Sequence, residues 1–342
     1  MITASPLPAQ PAGADWRQQW REAERDPVRL LSRLGLDSLA ARLADGGLRD
    51  FPLRVPASFI ERMRPGDPDD PLLRQVLPMD DEDRLVPGFV SDAVGDSAAL
   101  TANGVLQKYH GRALLIATGS CAVHCRYCFR RHFPYAEETA AAGHWAAALE
   151  QLRTDKSVSE VILSGGDPLS LSNAKLAELV EALDGIPHLR TLRIHSRLPV
   201  VLPARVDAGL LSLLRASRLH KVVVVHANHG NELRMAGSPH AETAAALSAL
   251  REHGFTLLNQ AVLLRGINDS VEALAGLSEA LFDLGVLPYY LHQLDRVRGA
   301  AHFEVEDAAA VELLAQLRSR LPGYLVPKLV REVPGAESKT PI

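Results

Sequence analysis

The sequence predicts an α/β protein built as a partial, TIM-like (β/α)6 barrel, and three observations carry that expectation. Six short apolar runs rich in β-branched residues recur along the chain. Each is too short for a membrane and too continuous for a half-exposed strand, so they read as buried parallel strands. Ala- and Leu-rich segments at helical spacing separate them, with a repeat of roughly 30 to 45 residues. Polar residues collect at the carboxyl ends of the runs, where barrels keep their chemistry.

In chain order, residues 1–107 read as a mostly helical, proline-punctuated extension, 108–300 as the barrel, and 301–342 as a last helix and a tail. The first strand, "ALLIAT" from 113, runs into a loop holding Cys121, Cys125 and Cys128. "VSEVILSGG" from 158 leads to Gly165, Gly166 and Asp167, and "LRTLRIHS" from 189 to Ser196. "KVVVVHAN" from 221 leads to His226 and His229, "FTLLNQAVL" from 255 carries Gln260, and "GVLPYYLHQ" from 285 carries Tyr289 and Tyr290 and leads to Asp295. Helices are expected at 136–152, 173–183, 207–217, 240–254 and 270–285. Taken singly, the glycines are turn residues and each histidine a satisfied structural residue; six strand ends meeting at one mouth are harder to explain that way.

Composition narrows the function classes. With 342 residues, 47% hydrophobic and 23% charged, the chain is long enough to bury a large core. A net charge of −4 favours neither nucleic acid nor an anionic membrane surface. No apolar run approaches the roughly 18 residues of a membrane span, and "MITASPLPAQPAGADW" lacks the basic and apolar regions of a signal peptide. The expected compartment is the cytoplasm.

Three cysteines in a reducing compartment argue for metal or redox chemistry rather than disulfides. Their C-x3-C-x2-C spacing admits two readings. A zinc ion would need a fourth ligand such as His124 or His132. An iron–sulfur cluster takes thiolates as its standard ligands, and three of them leave one iron of a four-iron cluster open to something else.

"CAVHCRYC" at 121–128 resembles the cysteine signature of radical S-adenosylmethionine (SAM) enzymes, and "SGGDPL" at 164–169 resembles the glycine-rich segment that receives the SAM amino group. "KYHGRALL", "CFRRHF", "HSRLPVVLP", "NQAVLLRGIND", "PYYLHQLD" and "SKTP" then follow in the order of the lysine 2,3-aminomutases, over roughly residues 50–342. "DPVRLLSRLGL" and "FPLRVPASFIERMRPGDPDDPLLRQVLP" are similar to the short branch of that family, which supplies β-lysine for modification of elongation factor P.

The resemblance implies a barrel of radical SAM type, closed at its mouth by the tail, and an isomerase that converts free L-α-lysine to β-lysine. Its cofactors would be a 4Fe–4S cluster on Cys121, Cys125 and Cys128, SAM, and pyridoxal 5′-phosphate (PLP) joined to Lys339 as a Schiff base. Gly165, Gly166, Asp167, Ser196, His226 and Gln260 are assigned to SAM, and Lys108, Tyr109 and Arg112 to PLP and its phosphate. Arg130 would pair with the substrate carboxylate, and Asp295 and Glu332 with its ε-ammonium. Glu332 stands where the family has aspartate, and the glycine run before the PLP lysine is reduced to "PGAES". No zinc-binding C-terminal extension is expected. The implied partners are an electron donor such as flavodoxin or ferredoxin and the ligase acting on elongation factor P, with no nucleic acid and no membrane. A radical SAM enzyme of another reaction type without PLP, and a zinc-binding interaction module, are the alternatives.

Overall fold

The computed structural model describes residues 15–46, 51–102, 104–135 and 145–342. Most of the opening stretch read for a signal peptide, and the first part of the helix expected from residue 136, lie outside the described residues; that helix is seen from Ala146 to Thr154.

Six parallel strands pair in the order of the sequence: β3 (Arg112–Thr118), β4 (Glu160–Gly165), β5 (Thr191–Ser196), β6 (His220–Val225), β9 (Thr256–Val262) and β10 (Leu287–His292). They are the six apolar runs, and together they form the expected partial barrel. A hairpin of β1 (Leu100–Ala102) and β2 (Val105–Tyr109) extends the sheet antiparallel beyond β3. Between β6 and β9 the chain detours through a small separate hairpin, β7 (Arg234–Met235) and β8 (Ser238–Pro239).

The other edge holds more than six units. β11 (Lys328–Arg331) adds a further parallel strand beside β10, with Leu291 opposite Leu329, and β12 (Thr340–Pro341) returns antiparallel against it. Both fall in the segment expected as helix and tail. The helix is there, at Asp307–Arg320, but a four-residue strand that begins with Lys328 and ends with Arg331 is too short to show a strand period.

Side-chain period decides what the barrel encloses. On β5, Leu192 and Ile194 are buried in the core, whereas Arg193 and His195 point to the other face and line the interior cavity, which Ser196 meets at the strand's end. The same alternation brings Ser164 of β4, Gln260 of β9, and Tyr290 and His292 of β10 to that cavity. The outer faces meet the helices, whose first turns are capped by Ser172, Asp207, His240 and Ser270.

The N-terminal segment forms helical turns in short pieces, at Trp16–Arg21, Pro27–Leu34 and Ala57–Ile60. Pro52, Pro56, Pro65, Pro68, Pro71 and Pro78 supply no backbone N–H, so longer helices do not propagate there. The segment packs on the barrel instead: Phe59 is buried, the Ser58 hydroxyl donates to the Val201 carbonyl at 2.7 Å, and Arg62 donates to the Val200 carbonyl at 2.7 Å.

Candidate active site

Every residue assigned above to the cluster, SAM, PLP or substrate lines one cavity of about 650 Å³ inside the barrel. His229 does not; its Nδ1 accepts the Asn231 amide at 3.1 Å and caps a turn. Gln260, Tyr289 and Tyr290 reach the cavity from within strands rather than beyond their ends.

The cysteine loop leaves β3 and is braced from outside the barrel. The His124 amide donates to the Arg54 carbonyl at 3.0 Å and the Arg126 amide to the Gln75 carbonyl at 2.9 Å. Arg126, fully buried, meets both oxygens of Glu82 at 2.7 and 2.5 Å, and Arg131 meets Glu82 Oε2 at 2.7 Å. These arginines therefore fix the loop. Burial pushes the Cys121 thiol well up and the Cys128 thiol to about 11, with the neighbouring thiols acting in the same direction. Three half-buried thiols on one loop, which give up their protons on binding iron, are a donor set suited to a cluster.

The zinc reading fares differently. The two histidines weighed as a fourth zinc ligand have backbone partners of their own. His124 Nδ1 sits 2.8 Å from the Pro52 carbonyl with its ring stacked on Phe51, and His132 Nε2 lies 3.2 Å from the Arg298 carbonyl.

Beside the cysteines, Gly166 permits a close approach: a Cβ there would lie 2.6 Å from the Ser120 carbonyl oxygen. Gly165 has φ +109, open essentially to glycine alone. Asp167 accepts from the Leu169 amide at 3.0 Å, the Ser196 hydroxyl at 2.8 Å and the Arg197 amide at 2.7 Å. Burial raises its carboxyl to about 6 against those bonds. Asp167 and Ser196 thus tie the ends of β4 and β5 to each other, and their side chains are committed. His226 Nε2 lies 2.9 Å from the Tyr127 hydroxyl, and burial, with Arg197 nearby, lowers its pKa to about 3, so the ring is neutral. The Gln260 amide has no protein partner among the described residues and is free to meet a ligand.

On the lysine side, the return of β12 beside β11 carries Lys339 into the cavity. Lys339 Nζ meets Glu332 Oε2 at 2.7 Å and stands 5.8 Å from the Tyr290 ring centre. The Tyr109 hydroxyl donates to Glu332 Oε1 at 2.6 Å, and Lys108 lies 3.6 Å from the same oxygen. Burial opposes the charge on Glu332, yet Lys339 and these donors hold its carboxyl below the ordinary value. The Glu332 carboxylate thus reaches Lys339 and Tyr109 at once. Asp295 has no side-chain hydrogen bond among the described residues; burial pushes it up to about 7, Lys339 opposing and Glu332 reinforcing. Arg130 is oriented by Asp96, 2.7 Å from Nε, and by the Ser164 hydroxyl, 3.1 Å from Nη1, while Lys108 holds the other oxygen of Asp96 at 2.7 Å.

Several cavity residues escaped the sequence reading. Asp96 organises both Arg130 and Lys108 from a loop without strand or motif signal. His292, buried, and His195, half-buried, are neutral imidazoles whose buried Nε2 atoms have no partner among the described residues. Period two along "TLRIHS" marks His195 as inward-facing once the Leu192 and Ile194 face is known to be outside. Arg112, Arg318 and Lys328 line the cavity without a carboxylate partner among the described residues, a cationic rim suited to a phosphate. With Lys339 beside them, the residues present fit PLP as the thiols fit the cluster.

Comparison with known proteins agrees with this chemistry. The family profile described as "Radical SAM superfamily" matches residues 115–277. The chain is 48% identical over 334 residues to an L-lysine 2,3-aminomutase of Escherichia coli, covering 97% of this chain and 95% of that one. It is 44% identical over 332 residues to the L-lysine 2,3-aminomutase of Haemophilus influenzae, covering 95% of each. Against that of Clostridium subterminale it is 31% identical over 335 residues, covering 96% of this chain and 78% of the other.

Proposed function

The chain belongs to the L-lysine 2,3-aminomutase family of radical SAM enzymes, and from that premise we propose that it isomerises L-α-lysine to β-lysine. The observation that carries the reading is the meeting, in one cavity, of three thiols on a single loop and Lys339 on the returning tail. When bound, the cluster and SAM supply a hydrogen-abstracting radical, and PLP supplies the π system across which an amino group moves. Cys121, Cys125 and Cys128 would hold the first and Lys339 the last.

The protein's own groups position the substrate. Arg130, fixed by Asp96 and Ser164, offers its guanidinium to the lysine carboxylate. Asp295 faces the arriving ε-ammonium, whose charge favours the carboxylate, so the proton that burial leaves on that carboxyl near pH 7 is released to solvent. Glu332 is neutralised by Lys339 in the ligand-free chain; with Lys339 committed to PLP, it keeps Tyr109 as donor and accepts a second ammonium. Lys108, Tyr109 and Arg112 stand at the PLP end, and the Gly165–Gly166 backbone and Gln260 at the SAM end.

Anaerobic incubation with SAM, dithionite and L-lysine, read by chromatography of the derivatised isomers, tests the reading. β-Lysine is the expected product. Iron and SAM cleavage without PLP and without β-lysine would favour a radical SAM enzyme of another reaction type.

Identity of 48% to the Escherichia coli relative, against 31% to the Clostridium one, supports membership of the branch that feeds elongation factor P modification. Free lysine is then the substrate, a flavodoxin or ferredoxin the donor, and the elongation factor P ligase the consumer of β-lysine, in the cytoplasm. No helix among the described residues is long and apolar enough to cross a membrane. A mass increase of elongation factor P that requires this protein, lysine and the ligase together checks that assignment.

A further inference from the structure

Arg197 directly follows β5, at the N-cap of the helical turn Leu198–Val201, and its side chain is almost wholly buried. Nη1 lies 2.7 Å from Cys125 Sγ and 2.9 Å from the Tyr127 hydroxyl. Nη2 lies 2.7 Å from Gln75 Oε1 and 2.8 Å from Glu232 Oε2. Glu232 is itself fixed, accepting the Asn228 amide at 2.7 Å and the Gln75 side-chain amide at 3.1 Å. The Phe59 and Tyr127 rings flank the guanidinium, with centroids 5.3 and 5.9 Å from its carbon. Among the described residues this is the one guanidinium hydrogen-bonded to a cysteine sulfur.

Two properties of the arrangement matter. A guanidinium keeps its protons at any working pH, so the donor at Sγ is permanent. Glu232 offsets its net charge, so Cys125 receives a directed N–H dipole rather than a bare cation. Held from Gln75 and Glu232, the fork has no freedom to turn away.

We propose that Arg197 is a positioning residue of the cluster: it donates a hydrogen bond to the Cys125 sulfur, fixes that ligand, and raises the reduction potential of the iron–sulfur centre. This rests on the reading of the three cysteines as cluster ligands. Hydrogen bonds to ligand sulfur stabilise the more electron-rich, reduced state, which is why they tune cluster potentials. Gln75 makes the N-terminal segment part of that tuning.

The test uses the full chain with its cluster reconstituted anaerobically. Iron and sulfide content is measured first; a chain that takes up neither overturns the cluster reading and this inference with it. The wild-type protein is then labelled with arginine carrying 15N only in its guanidino nitrogens, so that the Arg130 backbone amide beside Cys128 stays silent, reduced with dithionite and examined by pulsed EPR. A 15N coupling to the reduced cluster is expected, and its absence in a fully loaded protein overturns the proposal. Redox titration followed by EPR supplies the second measurement. Arg197→Met is expected to move the midpoint to a more negative potential, and Arg197→Lys, which keeps a donor, to move it less. A loaded Arg197→Met protein with the wild-type midpoint would sink the idea, as a purely structural arginine leaves the potential where it was. If neither variant takes up iron, the labelled wild-type measurement decides alone.

Discussion

Asp295 and Glu332 are two carboxylates at one end of the cavity whose surroundings drive them apart. Burial raises Asp295 to about 7, while Lys339 and the Tyr109 hydroxyl keep Glu332 ionised. Pairing with an ammonium requires an ionised Asp295, so kcat/KM for lysine should rise from pH 6 to pH 8 and then level. Asp295→Asn should abolish that step and lower kcat/KM by about 100-fold or more, since breaking a buried pair costs about 3–5 kcal/mol. Stability moves the other way. A carboxyl with a raised folded pKa binds more protons folded than unfolded, so its contribution becomes less favourable as pH rises from the ordinary aspartate range to about 7. Thermal melting of the cofactor-free Asn variant should therefore show a gain over the parent that grows between pH 4 and pH 7. A gain independent of pH would place Asp295 outside the cavity's charge system. Lys339→Ala should eliminate borohydride-trapped PLP while iron content and fold remain, and peptide mapping that finds the trapped group on another lysine would overturn the assignment.

At the scale of elements, the cysteine loop illustrates what spacing reveals and what it hides. Cys121, Cys125 and Cys128 were legible because ligand spacing is a local property. Their brace was not: Glu82 stands 44 residues from Arg126, and much of the rest is backbone carbonyl from Phe51, Arg54 and Gln75, which no side-chain pattern announces. Glu82→Gln removes the carboxylate shared by two buried arginines, a loss of about 3–5 kcal/mol. The expected outcome is a markedly lower melting temperature and reduced iron retention, with Glu82→Asp intermediate; unchanged melting and iron content would show that the loop holds itself. β11 was hidden for another reason, being too short to display a period, although its apolar Leu329 and Val330 are both buried.

At the scale of the whole molecule, the tail completes the site as much as it completes the sheet. Thr340 and Pro341 pair with Arg331 and Val330, and the Ile342 amide donates to the Leu329 carbonyl at 3.2 Å. These few contacts aim Lys339 at Glu332. Deleting Thr340–Ile342 leaves the lysine but frees its backbone, so PLP attachment and lysine turnover should each fall at least about tenfold, as misplacement of a catalytic group by an ångström does, while iron content stays constant. Turnover unchanged by the deletion would mean that the tail needs no strand to position it.

The sequence by itself determined the strand and helix alternation and the six parallel strands, since periodicity is a property of near neighbours, and its spacing and motif order marked the cysteine set and Lys339 as candidates. Family resemblance, rather than any local pattern, put forward Asp295, Glu332 and Arg130 as candidates. Tertiary structure alone decided the partners. Asp167 closes on Ser196 and the backbone after β5; Asp96 comes from an unpatterned loop to orient Arg130 and Lys108; Arg197 reaches Cys125 through a network begun at Gln75. The physical reason is that a buried polar group must find a partner wherever the fold offers one, and that partner is chosen by packing in three dimensions rather than by distance along the chain.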